Sequence, residues 1–243
     1  MATMTTTFPT ALTIEGAVFR AHREEAEILL RTGSILNAVQ SSSRHVMRPV
    51  TTAEDRCDQL HAWIEIGSHL TKCYVVFMKR FDGLAWDLVG RGEPKSEPFT
   101  PHMPVEKLRA LFHRDSWFMN ACFTLRDKVA FHVDADPLLA WLDRQPHDRA
   151  ICLFSQGDKY VKDIISDGPL EMLDEEAQRA INLEAFVETL GHVVAALPRL
   201  LEAMCHGFVA KFGLEADLGV RDGHHIVHFY NPDPAGVSSA GDV

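Results

Sequence analysis

The sequence predicts an all-α protein, built as a single helical bundle of four to five long helices with room for one small β-hairpin. Apolar residues recur at three-to-four spacing over long stretches, as the buried face of an amphipathic helix requires. The chain also lacks internal repeats and the alternation of strands and helices that is typical of a parallel α/β sheet. Its 243 residues, 46% of them hydrophobic, are enough for one large domain with a buried core.

Two long helices are predicted in the first third of the chain. The first runs from Glu15 to about Gln40 and is ended by the serines at 41–43. The second begins behind Thr52, a residue type that caps helices, and it has two acidic residues in its first turn. It runs to about Phe81 and carries two neighbouring apolar stripes, which indicates a helix packed against several others.

A break is predicted over residues 82–103, because glycines and prolines crowd this stretch. A connection of this length is long for a compact domain and indicates a functional or mobile loop. Three further helices are predicted behind it: one over 105–112, one from a cap at Asp115 or Ser116 to about Phe131, and one over 138–143.

The last part of the chain combines a β element with another long helix. Apolar residues at 150–165 flank the sequence Gln-Gly-Asp at 156–158, which predicts a small hairpin. Asp174 is the predicted cap of a helix that ends near Gly213. Pro198 is expected to kink this helix or to interrupt it.

The predicted domain covers residues 11–235, between a disordered N-terminus at 1–10 and a disordered tail at 236–243. A net charge of −10 repels nucleic acid overall, so any contact with RNA requires a local basic patch. Five scattered cysteines without a CxxC pair predict reduced thiols in a cytoplasmic protein. The sequence has neither the apolar run of about 20 residues that a membrane span needs nor the start of a secretory signal.

The most informative segment is 124–134, at the end of a predicted helix, where Arg126 is followed by His132. A guanidinium group can clamp a phosphate through two parallel hydrogen bonds, and an imidazole can move a proton near pH 7. At one phosphodiester, the two groups would let a ribose 2′-hydroxyl attack the adjacent phosphorus without a metal ion. Six residues of an uninterrupted α-helix leave the two side chains roughly 120° apart, so the helix must loosen or a second chain must complete the site.

The string Leu-Arg-Asp-Lys-Val-Ala-Phe-His at 125–132 resembles the Arg-x(4–6)-His signature of the HEPN superfamily. The resemblance covers the motif closely and the long-helix architecture loosely, over roughly 53–212. It implies a helical bundle that forms a homodimer, with the two motifs meeting across the dimer interface, and it implies no cofactor. Active members are metal-independent endoribonucleases, often in toxin–antitoxin or other defence systems, whereas other members have lost catalysis and serve as binding or assembly domains.

The resemblance assigns a role to four residues of the motif. Arg126 would hold the phosphate and His132 would be the catalytic acid and base. Asp127 would help to orient the site, at a position where asparagine is common in the family, and Lys128 would support it.

Basic residues near the motif are candidates for binding the substrate. Between Pro104 and His132 there are five basic and three acidic residues, a local charge of +2 in a chain of −10. Arg109, His113 and Arg114 extend a basic patch if they face the same way as the motif.

Three functions follow from these observations. The first is a cytoplasmic, HEPN-like homodimer that cleaves RNA and is restrained by an antitoxin protein. The second is a non-catalytic helical module for binding or assembly, which keeps the motif for structure, because an Arg-Asp pair near a helix end is commonly a surface ion pair. The third is a metal-binding helical bundle.

Two histidine clusters support the third function. Asp58, His61, Glu65 and His69 lie at three-to-four spacing on one helix face, although a solvated face with pairs of charges four residues apart is the favoured explanation of this cluster. The second cluster lies near the C-terminus, where an edge strand or a docked tail is the alternative to a metal site; it consists of His224, His225 and His228.

Overall fold

The computed structural model describes residues 10–46, 48–92, 103–130, 135–152, 167–221 and 224–232. Over these residues the protein is mostly helical and carries one three-stranded sheet, so the expected helical class is confirmed. The elements in chain order are β1 (Thr10–Ile14), α1 (Gly16–Ala21), α2 (Arg23–Val46), α3 (Ala53–Tyr74), the π-helical segment π1 (Val75–Arg80), α4 (Asp82–Gly92), α5 (Val105–Phe112), α6 (Trp117–Thr124), the π-helical segment π2 (Leu125–Ala130), α7 (Ala135–Asp143), α8 (Asp167–Ala180), α9 (Leu183–Phe212), β2 (Glu215–Arg221) and β3 (His224–Tyr230).

Helix α2 continues past the predicted stop at the three serines and ends at Val46. Two of the serine hydroxyls have partners within the helical structure. Ser43 Oγ donates to the carbonyl oxygen of Gln40 at 3.0 Å, and Ser42 Oγ donates to the Glu65 carboxylate of α3 at 2.8 Å. Because these hydroxyls bond within and between helices, they do not draw the backbone into a turn.

The predicted caps of α3 and α6 are confirmed. Thr52 Oγ1 accepts a hydrogen bond from the backbone N–H of Asp55, and the Asp55 carboxylate accepts one from the backbone N–H of Thr52. The hydroxyl and the backbone N–H of Thr51 also donate to this carboxylate, and these bonds, the one from the Thr51 hydroxyl first, lower the pKa of Asp55 to about 2. At α6 it is Ser116 that accepts from the backbone N–H of Met119 at 3.0 Å.

The predicted break over 82–103 is wrong for its first half, which forms α4. One glycine of α4, Gly92, serves helix packing, together with Gly207 of α9. A Cβ atom at Gly92 would lie 1.8 Å from the carbonyl oxygen of Ala203 in α9, and one at Gly207 would lie 1.8 Å from the carbonyl oxygen of Leu88. Glycine at both positions lets the two helix backbones touch, so residues that break helices in isolation are needed here for tertiary contact.

The predicted helix from Asp174 to Gly213 is two helices. Asp174 lies inside α8, and the cap of the longer helix α9 is Asn182, whose side chain accepts from the backbone N–H of Ala185 at 3.1 Å. Pro198 lies within α9 without ending it. The predicted end is confirmed, because Gly213 has the left-handed backbone angle φ of 60° that closes a helix.

The small sheet joins the two ends of the described chain in the order β1-β3-β2. The pair β1–β3 is parallel and places Thr10 opposite His225, whereas β2 and β3 are antiparallel. The hairpin predicted at 150–165 falls almost wholly outside the described residues, and residues 1–9 and 233–243 lie outside them altogether. The predicted hairpin and the predicted disorder at the two ends therefore stay predictions.

The core lies mainly between α2, α3, α4 and α9. Its largest fully buried side chains include five phenylalanines, and each such side chain contributes about 1.5–3 kcal/mol by leaving water: Phe77, Phe112, Phe118, Phe186 and Phe208. Helix α9 is long and apolar enough, by length and composition alone, to cross a membrane, a test that core helices also pass. Ten of its residues are buried against the rest of the fold.

Candidate functional site

One face of α3 positions the π2 segment. Gly67, Thr71 and Tyr74 lie on this face at helical spacing. A Cβ atom at Gly67 would lie 3.2 Å from the carbonyl oxygen of Cys122 and 3.2 Å from Leu125 Cβ. The missing side chain at Gly67 therefore lets the end of α6 and the start of π2 approach α3 closely.

The turn that carries Arg126 is π-helical. It follows α6 directly and continues to Ala130. In a π-helix the backbone hydrogen bonds reach five residues instead of four, which widens the turn and changes the directions of the side chains. The predicted loosening of the helix is thus present behind Arg126. The backbone of Lys128 lies in π2, whereas His132 lies outside the described residues and its pairing with Arg126 stays a prediction.

The guanidinium group of Arg126 is held by two neighbouring side chains. Its Nε donates to Asp127 Oδ1 at 2.6 Å and its Nη2 donates to Asp127 Oδ2 at 3.1 Å, a fork of two parallel bonds. Its Nη1 donates to Thr71 Oγ1 at 3.4 Å. The Arg126 side chain remains 33% exposed, so a phosphate can reach it by competing with Asp127 for the same N–H groups.

Phe123 connects Arg126 to a second cation, Arg114. The two guanidinium carbons lie 4.8 Å and 3.9 Å from the centroid of the Phe123 ring, and they can be no more than about 9 Å apart. Arg114 Nη1 donates to the neutral Asn120 Oδ1 at 3.0 Å, and no carboxylate within the described ranges forms an ion pair with Arg114. Tyr74 packs edge-on against the Phe123 ring with a centroid distance of 6.0 Å and holds it between α3 and α6.

The other two predicted basic residues form a separate group. Arg109 Nη2 donates to Asp82 Oδ1 at 3.3 Å. Arg109 and His113 line a cavity of about 640 Å³ whose wall contains neither Arg114 nor Arg126. The structure therefore divides the predicted basic patch, and it brings only Arg114 to the aromatic ring that Arg126 also contacts.

The first histidine cluster does not converge. Glu65 accepts from Ser42 on α2, and His69 Nδ1 lies 3.3 Å from Lys72 Nζ. Burial and the positive charge of Lys72 lower the pKa of His69, while Glu65 acts in the opposite direction. In the part of the chain that the structure describes, no three His, Cys, Asp or Glu side chains come together as a metal site would require.

The second histidine cluster lies in the middle strand of the sheet. The backbones of His224, His225 and His228 belong to β3, which is flanked by β1 and β2, so the predicted edge position is wrong. The strand itself is confirmed. His228 Nδ1 lies 3.0 Å from Thr13 Oγ1 of β1, a contact that ties the two strands together.

Sequence reasoning missed two residues of the site, Thr71 and Phe123. Thr71 is buried and reaches Arg126 from 55 positions away along the chain. The only sequence signal for Phe123 was its position three residues before Arg126, which places an aromatic ring on the same helix face.

No protein-family model, no curated protein and no solved structure matches this chain.

Proposed function

We propose that the chain is an HEPN-like helical-bundle protein that binds RNA at Arg114, Phe123 and Arg126 and cleaves it without a metal ion. One observation carries the proposal: two guanidinium groups contact one half-buried aromatic ring beside a π-helical turn. Such a cluster suits RNA in two ways, because arginine cations pair with phosphates and the planes of guanidinium groups can stack on bases. π-Helical turns are also frequent at functional sites.

The cleavage would proceed by transfer within the RNA strand. Arg126 would hold the non-bridging phosphate oxygens through its N–H fork. His132 would take the proton from the ribose 2′-hydroxyl as this oxygen attacks the adjacent phosphorus. The bond from phosphorus to the 5′-oxygen then breaks, the protonated imidazole of His132 would return its proton to the 5′-oxygen, and the products are a 2′,3′-cyclic phosphate and a 5′-hydroxyl end.

The bond between Arg126 and Asp127 must open for this reaction. Asp127 is half exposed, and ion pairs between exposed side chains contribute only about 0–1 kcal/mol. A phosphodiester that also contacts Arg114 gains more interaction energy than Asp127 alone provides, so displacement of the carboxylate costs little.

We propose in addition that the protein is a cytoplasmic homodimer whose two motifs meet, and that an antitoxin protein restrains it.

The test is cleavage of a labelled single-stranded RNA in buffer with EDTA. We expect His132→Ala to lower the cleavage rate by about 100-fold or more, and Arg126→Lys to lower it strongly because lysine lacks the fork. Arg199→Ala is the matched control, since Arg199 is another exposed arginine that pairs with a carboxylate, Glu202, on its own helix. Equal rates for the His132→Ala variant and the wild type would refute the proposed mechanism.

The second candidate function is a non-catalytic binding or assembly module. The observation that favours it is the closed Arg126–Asp127 pair, which occupies the fork that a phosphate needs. This candidate predicts RNA binding that weakens in Arg114→Ala with no cleavage by the wild type. If the wild type neither binds nor cleaves RNA, both candidates that involve RNA are wrong and the motif is structural.

A further inference from the structure

A groove of about 880 Å³ lies between α2 and α3, on a different face of α3 from the Arg126 site. The two helices run antiparallel, since Ser42 contacts Glu65 and Glu27 contacts Arg80. Along α2 the groove extends from position 23 to position 38, which is about 22 Å at the rise of an α-helix. This length equals about four turns of a docked helix.

The floor of the groove exposes large apolar side chains to solvent. Leu30 of α2 is 62% exposed and Val75 at the start of π1 is 40% exposed, and both line the groove. The partly exposed Ala38 adds a small apolar surface along α2. Exposed apolar side chains beside a polar rim are typical of a surface that another molecule covers.

The rim of the groove carries positive charge that the fold does not neutralise. Arg20, Arg23 and Lys72 line the groove, and none of them forms an ion pair with a carboxylate among the residues that the structure describes. Arg31 also lines it, but Glu27 neutralises Arg31 through a contact of 2.6 Å. The net positive rim stands in a chain whose overall charge is −10, so it is a local feature.

We propose that the α2–α3 groove docks an acidic amphipathic helix of a partner protein. The apolar floor fits the apolar face of such a helix, and the cations fit acidic residues along its edges. The antiparallel register places Lys72 near the middle of α2, roughly 18 Å along the groove from Arg23. An amphiphile with one charged end meets only one of these two positions, whereas a helix with acidic residues along its length meets both.

The first experiment uses a fluorescent peptide of about 16 residues made of Leu and Glu, with Leu at helical i, i+3, i+4 and i+7 spacing. Its control has the same composition in shuffled order. We expect the patterned peptide to bind the full chain at least about tenfold more tightly than the shuffled one, with affinity falling as salt rises. Equal binding of the two peptides would contradict the proposal, because charge alone would then explain it.

The second experiment locates the binding. Leu30→Ser and Arg23→Glu should each lower the affinity of the chain for the patterned peptide by about tenfold. Leu218→Ser and Arg48→Glu are the matched controls: Leu218 of β2 is 78% exposed, Arg48 is exposed, and neither lines the groove. We expect these controls to stay within about twofold of the wild type, which separates the groove from the overall charge of the chain.

Two other occupants would overturn the proposal. If the chain self-associates and Leu30→Ser dissociates it, the groove is an interface between copies. If vesicles containing phosphatidylglycerol bind through Arg23 and Leu30 while the patterned peptide does not, the occupant is a membrane surface. Thermal unfolding of every variant accompanies these measurements, and Leu30→Ser is expected to fold because its side chain is already mostly exposed.

Discussion

The Arg126 site and the α2–α3 groove share helix α3 but differ in how their cations are balanced. At the Arg126 site the guanidinium group has a carboxylate partner from its own segment, Asp127, at 2.6 Å. In the groove, Arg23 and Lys72 have no such partner among the described residues. A cation that the fold has already paired is weaker support for a ligand than one that it leaves unpaired beside exposed apolar surface.

The difference has an energetic consequence. When a ligand binds at the Arg126 site, its anion replaces the Asp127 carboxylate. The free energy gained is therefore only the difference between two similar ion pairs. A ligand of the groove adds a partner where none existed and also removes Leu30 from water. We therefore expect the groove to bind an acidic helix without any rearrangement, whereas the Arg126 site must first release Asp127.

The largest expected effect is structural and separates the two regions. Gly67→Val places a branched side chain where a single Cβ atom would already lie 3.2 Å from Leu125 Cβ. Overpacking of this kind costs about 1–3 kcal/mol, measurable as a lower urea midpoint. Because π2 must shift, RNA binding should weaken, while binding of the patterned peptide to the groove should not change.

The matched control for this substitution is Gly90→Val in α4. A Cβ atom there meets nothing within 4 Å, so the variant carries the same change in helix propensity without the overpacking. If Gly67→Val weakens peptide and RNA binding equally, the two regions are coupled through α3 and the comparison between them fails.

A smaller effect is expected when the paired site is converted into an unpaired one. Asp127→Asn keeps the shape of the side chain but removes the charge that holds Arg126. RNA affinity should rise, by at most about fivefold, since an exposed ion pair is worth no more than about 1 kcal/mol. The measurement is a titration of the labelled RNA at two salt concentrations.

The control for Asp127→Asn is Asp87→Asn, which removes one negative charge from an exposed pair with Arg91 elsewhere on the surface. An equal rise in RNA affinity in both variants would mean that the overall charge of the chain, and not release of Arg126, governs the binding.

Local features of the fold could be predicted from the sequence, and features made by distant contacts could not. The caps at Thr52 and Ser116 and the stop at Gly213 depend on neighbouring residues alone, and all three are confirmed. Helix α4 was missed because Gly92 acts through α9, more than a hundred residues away. The pairing of Thr10 with His225 likewise has no local signal.

The candidate site shows the same division. The motif at 125–132 was visible because its residues are adjacent in sequence. The contact of Arg126 with Thr71 and the approach of Arg114 to Phe123 depend on how α3, α6 and π2 pack. The groove has no signal in the sequence, because Leu30 fits an ordinary helical pattern, and only the structure shows that this side chain is mostly exposed.

The smallest expected effect is on pH dependence, and it concerns His69 in the wall of the groove. Burial lowers the pKa of His69 below its ordinary value of 6.5, and the positive charge of Lys72 lowers it further. The negative charge of Glu65 on the same helix acts in the opposite direction. Glu27 and Arg31 of α2 line the same groove as His69. The unfolded chain therefore binds a proton at His69 at a higher pH than the folded chain does. As the pH falls from about 6.5 through the folded pKa, the free energy of unfolding should decrease.

His69→Gln should remove this part of the acid sensitivity, and Lys72→Gln should reduce it, because the pKa of His69 then returns toward its ordinary value. Urea midpoints between pH 7.5 and 5 measure both changes.

Since His69 is neutral above pH 7, peptide binding to the groove should be constant from pH 7 to 8, where arginine and lysine supply all of the charge. Cleavage that depends on His132 should instead change with pH near neutrality, because its imidazole must exchange a proton. A peptide affinity that follows the pH profile of cleavage would show that the two regions titrate together.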